Sequence, residues 1–237
     1  MFVDIVFCVD VSGSMAEHLE HVKKKILQMP KDLIAFFAGK DDIVQTLRVR
    51  LVQFANLVGT PDSLEATEFF VVHQHLESHV SAPITQLAEF ESVVKDLSVL
   101  GDGNEHESAL EALDLAVSSE WIYEEGYGFN RRRHIVVMFT DTGAHPLESQ
   151  DGEVSAAFRK HRSASLDELT DRWWSNGTPF GWSWSRRLLI FAPDTYPWNV
   201  IGDSWVDTIW FPSQAGKTLE DVENEMIMNA LWARAFM

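Results

Sequence analysis

The sequence predicts an α/β fold with helices on both faces of a doubly wound, mostly parallel sheet. Short apolar runs rich in Val, Ile and Phe alternate along the chain with longer segments in which apolar residues recur every three or four positions. No repeat, low-complexity tract or evident linker breaks this alternation, and 237 residues suffice for one large domain with its own core. We therefore expect residues 1–237 to form a single domain around a parallel sheet.

Six segments have the composition and length of strands. The first is apolar and rich in β-branched residues, and it leads directly to Asp10. Only a short turn at residues 59–62 separates the second strand from the third, which leaves no room for a crossover helix. The third is therefore predicted to be an antiparallel edge strand. The six predicted strands cover residues 2–9, 46–56, 68–73, 134–140, 188–192 and 206–211.

Amphipathic segments predict the helices between these strands. After the first strand, Leu19, Val22 and Ile26 begin a stripe of apolar residues on one helical face. Ser165 and Glu168 have the spacing of a capping box, which predicts the start of another helix. The predicted helices cover residues 16–37, 154–162, 165–174 and 218–235, and two more begin at Pro83 and near Glu107.

Composition and charge exclude several classes of protein. The formal net charge is −17, which argues against a nucleic-acid partner because phosphate binding requires clustered Lys and Arg. No apolar run approaches the roughly 20 residues that span a bilayer, and no signal peptide precedes the first strand. The single cysteine, Cys8, lies in an apolar run and is predicted to be a core residue rather than a nucleophile. We expect a cytoplasmic protein without a membrane span.

Three polar clusters are predicted to meet at one edge of the sheet. Sites in open parallel sheets form at the carboxyl ends of the strands, and two of the clusters directly follow strands. Carboxylate, hydroxyl and amide oxygens are ligands that Mg²⁺ prefers, and Ca²⁺ and Mn²⁺ accept them as well. The clusters are Asp10-Val11-Ser12-Gly13-Ser14, the loop with Asp102, Asn104, Glu105 and Glu107, and Thr140-Asp141-Thr142.

The first and third clusters match a known family. The string Asp10-x-Ser12-x-Ser14, after an apolar strand and before an amphipathic helix, strongly resembles the metal-ion-dependent adhesion site (MIDAS) of von Willebrand factor A (vWA) domains. Asp141, in the segment FTDTGAH, matches the distal aspartate of that site. The resemblance covers the order of strands and helices along essentially the whole chain. It implies a Rossmann-like vWA fold and a noncatalytic function, in which a bound Mg²⁺, Mn²⁺ or Ca²⁺ ion holds an Asp or Glu carboxylate of a protein partner.

The loop between these clusters departs from the commonest family pattern. Many members place a threonine there, whereas this loop reads GDGNEHE and resembles the variant found in integrin β subunits. In that variant a glutamate at the start of the helix serves as the middle ligand, and Glu107 aligns with it. The same resemblance makes Asp102 and Asn104 candidates for holding a second ion. Without a leader or disulfides, the chain is most similar to intracellular bacterial-type vWA proteins, which act as scaffolds in multi-protein systems.

Two aromatic residues follow the fifth predicted strand and are expected near the metal. Tyr196 and Trp198 lie in a segment that emerges at the rim of the sheet, where they would frame the ion and offer apolar contact to a partner. The alternative is that both rings pack inward.

Other interpretations remain open for several residues. Taken singly, Ser12 and Ser14 are ordinary turn or helix-capping residues. His73 and His75 would share one face of a strand and could bind zinc, although an exposed edge-strand end explains them as well.

A metal-dependent hydrolase or phosphatase on the same rim is the alternative function. His145 is then the candidate base. The chain lacks a Gly-x-Ser-x-Gly elbow and a phosphate-binding loop, so we predict that it is not an enzyme. A purely structural domain with a vacant rim is a third alternative.

Overall fold

Strands and helices alternate along the part of the chain that the computed structural model describes. This part comprises residues 1–40, 42–57, 63–75, 85–101, 106–122, 132–147, 163–175, 185–213, 227–229 and 231. The strands are β1 Phe2–Asp10, β2 Thr46–Phe54, β3 Leu64–Ala66, β4 Phe70–Gln74, β5 His106–Glu107, β6 Arg132–Phe139, β7 Gly143–Ala144, β8 Arg186–Pro193 and β9 Thr208–Ser213. The α-helices are α1 Leu19–Ala38, α2 Leu87–Asp96, α3 Ala109–Val117, α4 Leu166–Trp174 and α5 Trp198–Ser204.

The main sheet is mostly parallel, which confirms the predicted fold class. Its order is β3-β2-β1-β6-β8-β9, and β4 also pairs with β2. The neighbours β2, β1, β6, β8 and β9 are all parallel to one another. Their carboxyl ends therefore lie along one edge, and Asp10, at the end of the central strand β1, lies in the middle of that edge.

The antiparallel edge differs from the prediction in one respect. It consists of two short strands instead of one, so the sheet has seven strands rather than six. Between them, Thr67 pairs with β2 partly through its side chain, because the amide of Leu51 donates to Thr67 Oγ1 at 3.1 Å. The guanidinium of Arg50 also donates to the Thr67 carbonyl, at 2.7 Å. Side chains thus replace part of the backbone ladder, and hydrophobic periodicity does not reveal this.

Alternate residues of β1 point to the two faces of the sheet and enter two separate cores. Phe7 and its alternate neighbours pack with α1 and α2, whereas Cys8 packs with α3, α4 and α5. Every residue of β6 is buried, as expected for a central parallel strand. Cys8 is fully buried, which confirms its prediction as a core residue, and burial raises the pKa of its thiol.

Several element boundaries differ from those predicted. The first helix is preceded by a 3-10 helix at Gly13–Glu17, so α1 begins only at Leu19. The last strand begins at Thr208 rather than at 206, because Asp207 adopts a left-handed conformation with φ of 65°. The capping box is confirmed, since the Ser165 side chain accepts from the amide of Glu168.

Some predicted elements lie wholly or partly outside the described residues. These are the helix at 154–162, the helix start at Pro83, and most of the closing helix at 218–235, of which residues 227–229 and 231 are helical. Among the described residues, no helix is long and apolar enough to cross a membrane.

Candidate metal centre

Asp10 ends the central strand as a fully buried carboxylate. Its Oδ1 accepts a hydrogen bond from the Ser12 amide at 2.9 Å, and its Oδ2 accepts one from Thr140 Oγ1 at 2.7 Å. The parallel register pairs Val9 with Phe139, so Thr140 follows β6 directly beside Asp10. Two neutral donors from two loops therefore fix the orientation of this carboxylate.

The electrostatic environment of Asp10, as far as the described residues form it, contains no compensating cation. Burial raises the pKa of Asp10 to about 6, the hydrogen bonds from Thr140 and Ser12 oppose this, and the negative charge of Asp141 adds to it. Among the described residues, no Lys or Arg forms an ion pair with Asp10. A buried carboxylate without a positive partner is costly, and a nearby metal ion relieves that cost.

Ser12, Ser14 and Asp141 continue the polar rim outward from Asp10. Ser12 Oγ lies 3.0 Å from Ser14 Oγ, and Ser14 Oγ donates to Asp141 Oδ1 at 2.9 Å. Ser12 is buried, Asp141 is half-buried and Ser14 is exposed. The structure thus brings together four of the predicted ligands in a row that runs from the core to solvent.

This donor set fits a hard divalent cation. In an octahedron with metal–oxygen distances of about 2.1 Å, neighbouring oxygens lie about 3.0 Å apart. The oxygen pairs Ser12–Ser14 and Ser14–Asp141, at 3.0 and 2.9 Å, have this spacing. The residues present therefore suit Mg²⁺, and Mn²⁺ or Ca²⁺ as well.

The loop after β6 is held by its own backbone and by a tryptophan. The amide of Thr142 donates to Thr140 Oγ1 at 3.3 Å, and the carbonyl of Thr142 accepts from Trp198 Nε1 at 2.8 Å. The amide of Thr140 donates to the Phe191 carbonyl on β8 at 3.0 Å. Asp141 consequently lies in a loop with both flanking residues fixed.

Glu107 is also placed at this edge of the sheet. It forms the short strand β5, which pairs with β7 immediately after Asp141, so that Glu107 lies opposite Ala144. The following amide, of Ser108, donates to the Ala55 carbonyl just beyond β2 at 3.3 Å. Glu107 is fully buried and lies two residues before α3, whereas the resemblance implied that it begins the helix.

The two candidates for a second ion lie outside the described residues. Asp102 and Asn104 belong to the segment 102–105. The segment before it reaches the rim, because the amide of Leu100 donates to the Val11 carbonyl at 2.7 Å.

The two aromatic residues expected at the rim behave differently. Tyr196 is 43% exposed, whereas Trp198 is fully buried. The interpretation of Trp198 as an apolar contact for a partner is therefore wrong, because its ring packs in the core and its N–H is directed to the Thr142 carbonyl. No pattern of residues indicates this hydrogen bond, whereas the position of Thr140 beside Asp10 follows from the register of β1 and β6.

The alternative sites receive little geometric support. In the described parts of the chain, no group of three or more His, Cys, Asp or Glu side chains converges on one point. This holds at the sheet edge as well, so Glu107 does not form one cluster with Asp10 and Asp141. The Nε2 atom of His73 lies 3.1 Å from the Val44 carbonyl, and the Nε2 atom of His145 lies 3.4 Å from Asn56 Nδ2.

Replacing Thr140 tests whether its hydroxyl supports Asp10. Thr140→Val keeps the shape of the side chain and removes the donor. We expect the free energy of unfolding to fall by about 1–3 kcal/mol, because the buried Asp10 carboxylate loses the hydrogen bond from Thr140 and the Thr142 amide loses its acceptor. Urea unfolding in the presence of EDTA measures this loss without any contribution from metal.

Thr208→Val is the matched control. Thr208, the first residue of β9, is buried like Thr140. Its hydroxyl has no hydrogen-bond partner among the described residues. The same substitution is expected to be neutral or stabilising there. Equal losses in the two variants would show that the Thr140 hydroxyl does not support Asp10.

The solved structures that are similar to this chain include a matrix protein and a pilus adhesin. Proximal thread matrix protein 1 (PTMP1) from the mussel byssus is 13% identical, with a TM-score of 0.50, over 97% of this chain and 46% of that one. The pilus adhesin SpaC from Lactobacillus rhamnosus GG, in its open conformation, is 14% identical with a TM-score of 0.34, over 59% of this chain and 14% of that one. This chain therefore spans less than half the length of either. No curated protein matches it.

A sequence model of the family provides the assignment. The model of the von Willebrand factor type A domain matches residues 5–144, which begin within β1 and end just after Asp141. Because this span exceeds half of the chain, the protein belongs to the von Willebrand factor type A domain family.

Proposed function

We propose that the protein is a metal-dependent protein-binding scaffold whose cation holds a carboxylate of a partner. Domains of this family generally serve protein interaction or adhesion. The observation that carries the proposal is the row of oxygens on Ser12, Ser14 and Asp141, in which neighbours lie about 3 Å apart. The buried Asp10 carboxylate lies beside this row, where it accepts from the Ser12 amide.

The exposure of the rim supports access by a partner. Asp10 and Ser12 are buried, whereas Ser14 is exposed, so an ion in this row would face solvent on one side. Mg²⁺ usually retains several waters, and a carboxylate can replace one of them. An Asp or Glu side chain of a protein partner is the ligand that this arrangement would accept.

Binding rather than catalysis is the function we propose for this rim. Hydrolysis at a metal needs a base near an activated water. The Nε2 atom of His145 lies 3.4 Å from the side-chain nitrogen of Asn56. We also propose that the scaffold is cytoplasmic. A single cysteine permits no disulfide within the chain, whereas exported domains commonly carry disulfides.

Thermal unfolding with Mg²⁺, Mn²⁺, Ca²⁺ or EDTA tests the cation site. At a hundred times its dissociation constant, a cation that binds only the folded state stabilises it by about 2.7 kcal/mol, or about 5–10 °C for a domain of this size. We expect this rise in the wild type and its loss in Asp10→Ala and Asp141→Asn.

Asp171→Asn is the control for the loss of one negative charge, since Asp171 is exposed on α4. It should respond to cations as the wild type does. If cations do not stabilise the wild type, the proposed site is absent. An equal rise in Asp141→Asn would exclude Asp141 from the site.

Glu107→Gln tests the middle ligand that the family resemblance implies. If Glu107 coordinates the ion directly, it neutralises part of the charge and strengthens binding to the partner-free protein. Its loss is then expected to raise the dissociation constant for Mg²⁺ about tenfold or more in calorimetry. Asp4→Asn removes an equally buried carboxylate at the opposite end of β1 and should leave the affinity unchanged. Unchanged affinity in Glu107→Gln would remove Glu107 from the site.

Water-proton relaxation of bound Mn²⁺ tests the position reserved for the partner. An ion that faces solvent keeps exchangeable water, so the bound Mn²⁺ should enhance relaxation. Acetate should lower this enhancement by displacing water, whereas acetamide, which has no charge, should not. A bound ion without exchangeable water would contradict coordination of a partner carboxylate, although the cation site itself would stand.

A further inference from the structure

We infer, resting on the function proposed above, that Trp198 is a positioning residue of the cation site. Its indole N–H fixes the loop that carries Asp141, and the affinity of the site for its cation depends on this hydrogen bond. Trp198 itself contacts neither the ion nor the partner, because its side chain is fully buried beneath the rim.

The hydrogen bonds around Thr142 carry this inference. Trp198 Nε1 donates to the Thr142 carbonyl at 2.8 Å, and the Thr142 amide donates to Thr140 Oγ1 at 3.3 Å. Both backbone polar groups of the residue that follows Asp141 are therefore held. The bond of the Thr142 amide holds the peptide that joins Asp141 to Thr142, and the bond from Trp198 holds the next peptide, which joins Thr142 to Gly143.

This loop also connects the two carboxylates of the site. Thr140 Oγ1, which accepts from the Thr142 amide, donates to Asp10 at 2.7 Å, while Asp141 accepts from Ser14 at 2.9 Å. A shift of Thr142 thus changes the hydrogen bonding of the buried carboxylate and the direction of the half-buried one. Partners that orient metal ligands in this way influence metal affinity although they do not bind the metal.

The helix that begins at Trp198 is itself firmly placed. Gly202 on α5 packs so closely against β9 that a Cβ atom there would lie 2.8 Å from the Trp210 ring. Trp198 also packs among the apolar residues beneath the sheet, together with Ile201 of the same helix. A buried donor on a helix that packs closely against the sheet is suited to holding a ligand-bearing loop in one geometry.

Trp198→Phe tests the inference, and Trp173→Phe is its matched control. Trp173 is also fully buried, and its Nε1 donates to a backbone carbonyl, that of Val206, at 3.0 Å. Both substitutions keep an aromatic ring and remove one indole donor, so both should lower stability to a similar extent. We expect the dissociation constants for Mg²⁺ and Mn²⁺ to rise about fivefold in Trp198→Phe and to stay unchanged in Trp173→Phe.

Two spectroscopic readouts separate positioning from a general loss of stability. The EPR spectrum of bound Mn²⁺ should change in Trp198→Phe and match the wild type in Trp173→Phe. In the wild type, the indole N–H resonance of Trp198 should shift on titration with Mg²⁺ while that of Trp173 does not. This second readout holds even if Trp198→Phe fails to fold.

The possible results distinguish this inference from the proposed function. If the wild type binds Mg²⁺ and Trp198→Phe binds it equally well, Trp198 does not position the site, and the proposed function stands. A Trp198 indole resonance that is unmoved by Mg²⁺ in a wild type that binds the ion would overturn the inference in the same way. If the wild type binds no cation, the proposed function and the inference both fail.

Discussion

The rest of the site depends on the burial of one carboxylate at the end of the central strand. Asp10 has lost its contact with water, and neutral donors of Ser12 and Thr140 replace it. Parallel pairing on both sides of β1 makes this possible, because it brings the ends of β2 and β6 to the same level as Asp10. A sheet with another strand order would place these loops apart, so the hydrogen bonds of Asp10 depend on the strand order.

The supports of the rim come from both cores of the molecule. The 3-10 helix that follows Ser12 leads into α1 on one face, and Trp198 approaches from α5 on the other. Between them, the short β5–β7 ladder ties Glu107 to the loop after β6. A polar edge that is fixed from several elements varies little in geometry, and this favours selective coordination over loose attraction of cations.

The fold was predictable from the sequence, and the site was predictable in part. Hydrophobic periodicity and composition revealed the strands and the parallel sheet, because strands and helices depend on local patterns of residues. The interruption at Thr67 was not visible, since it arises from a side chain that pairs with a neighbouring strand. Asp10, Ser12, Ser14 and Asp141 could be named from strand ends and a known motif, and the structure brings them together. The inward orientation of Trp198 could not be read, because an aromatic residue after a strand suits either a core or a surface.

The burial of the only cysteine allows the opening of the core beside the central strand to be measured by a chemical reaction. Cys8 has no exposed surface and lies two residues before Asp10, in a strand paired on both sides. Its thiol packs against α3, so a thiol reagent reaches it only after this helix has moved away from the sheet, and the rate of alkylation reports how often this core opens. A cysteine introduced on the surface would react at once, while Cys8 remains protected. The natural sequence therefore allows a single fluorophore or spin label to be attached without prior removal of another thiol.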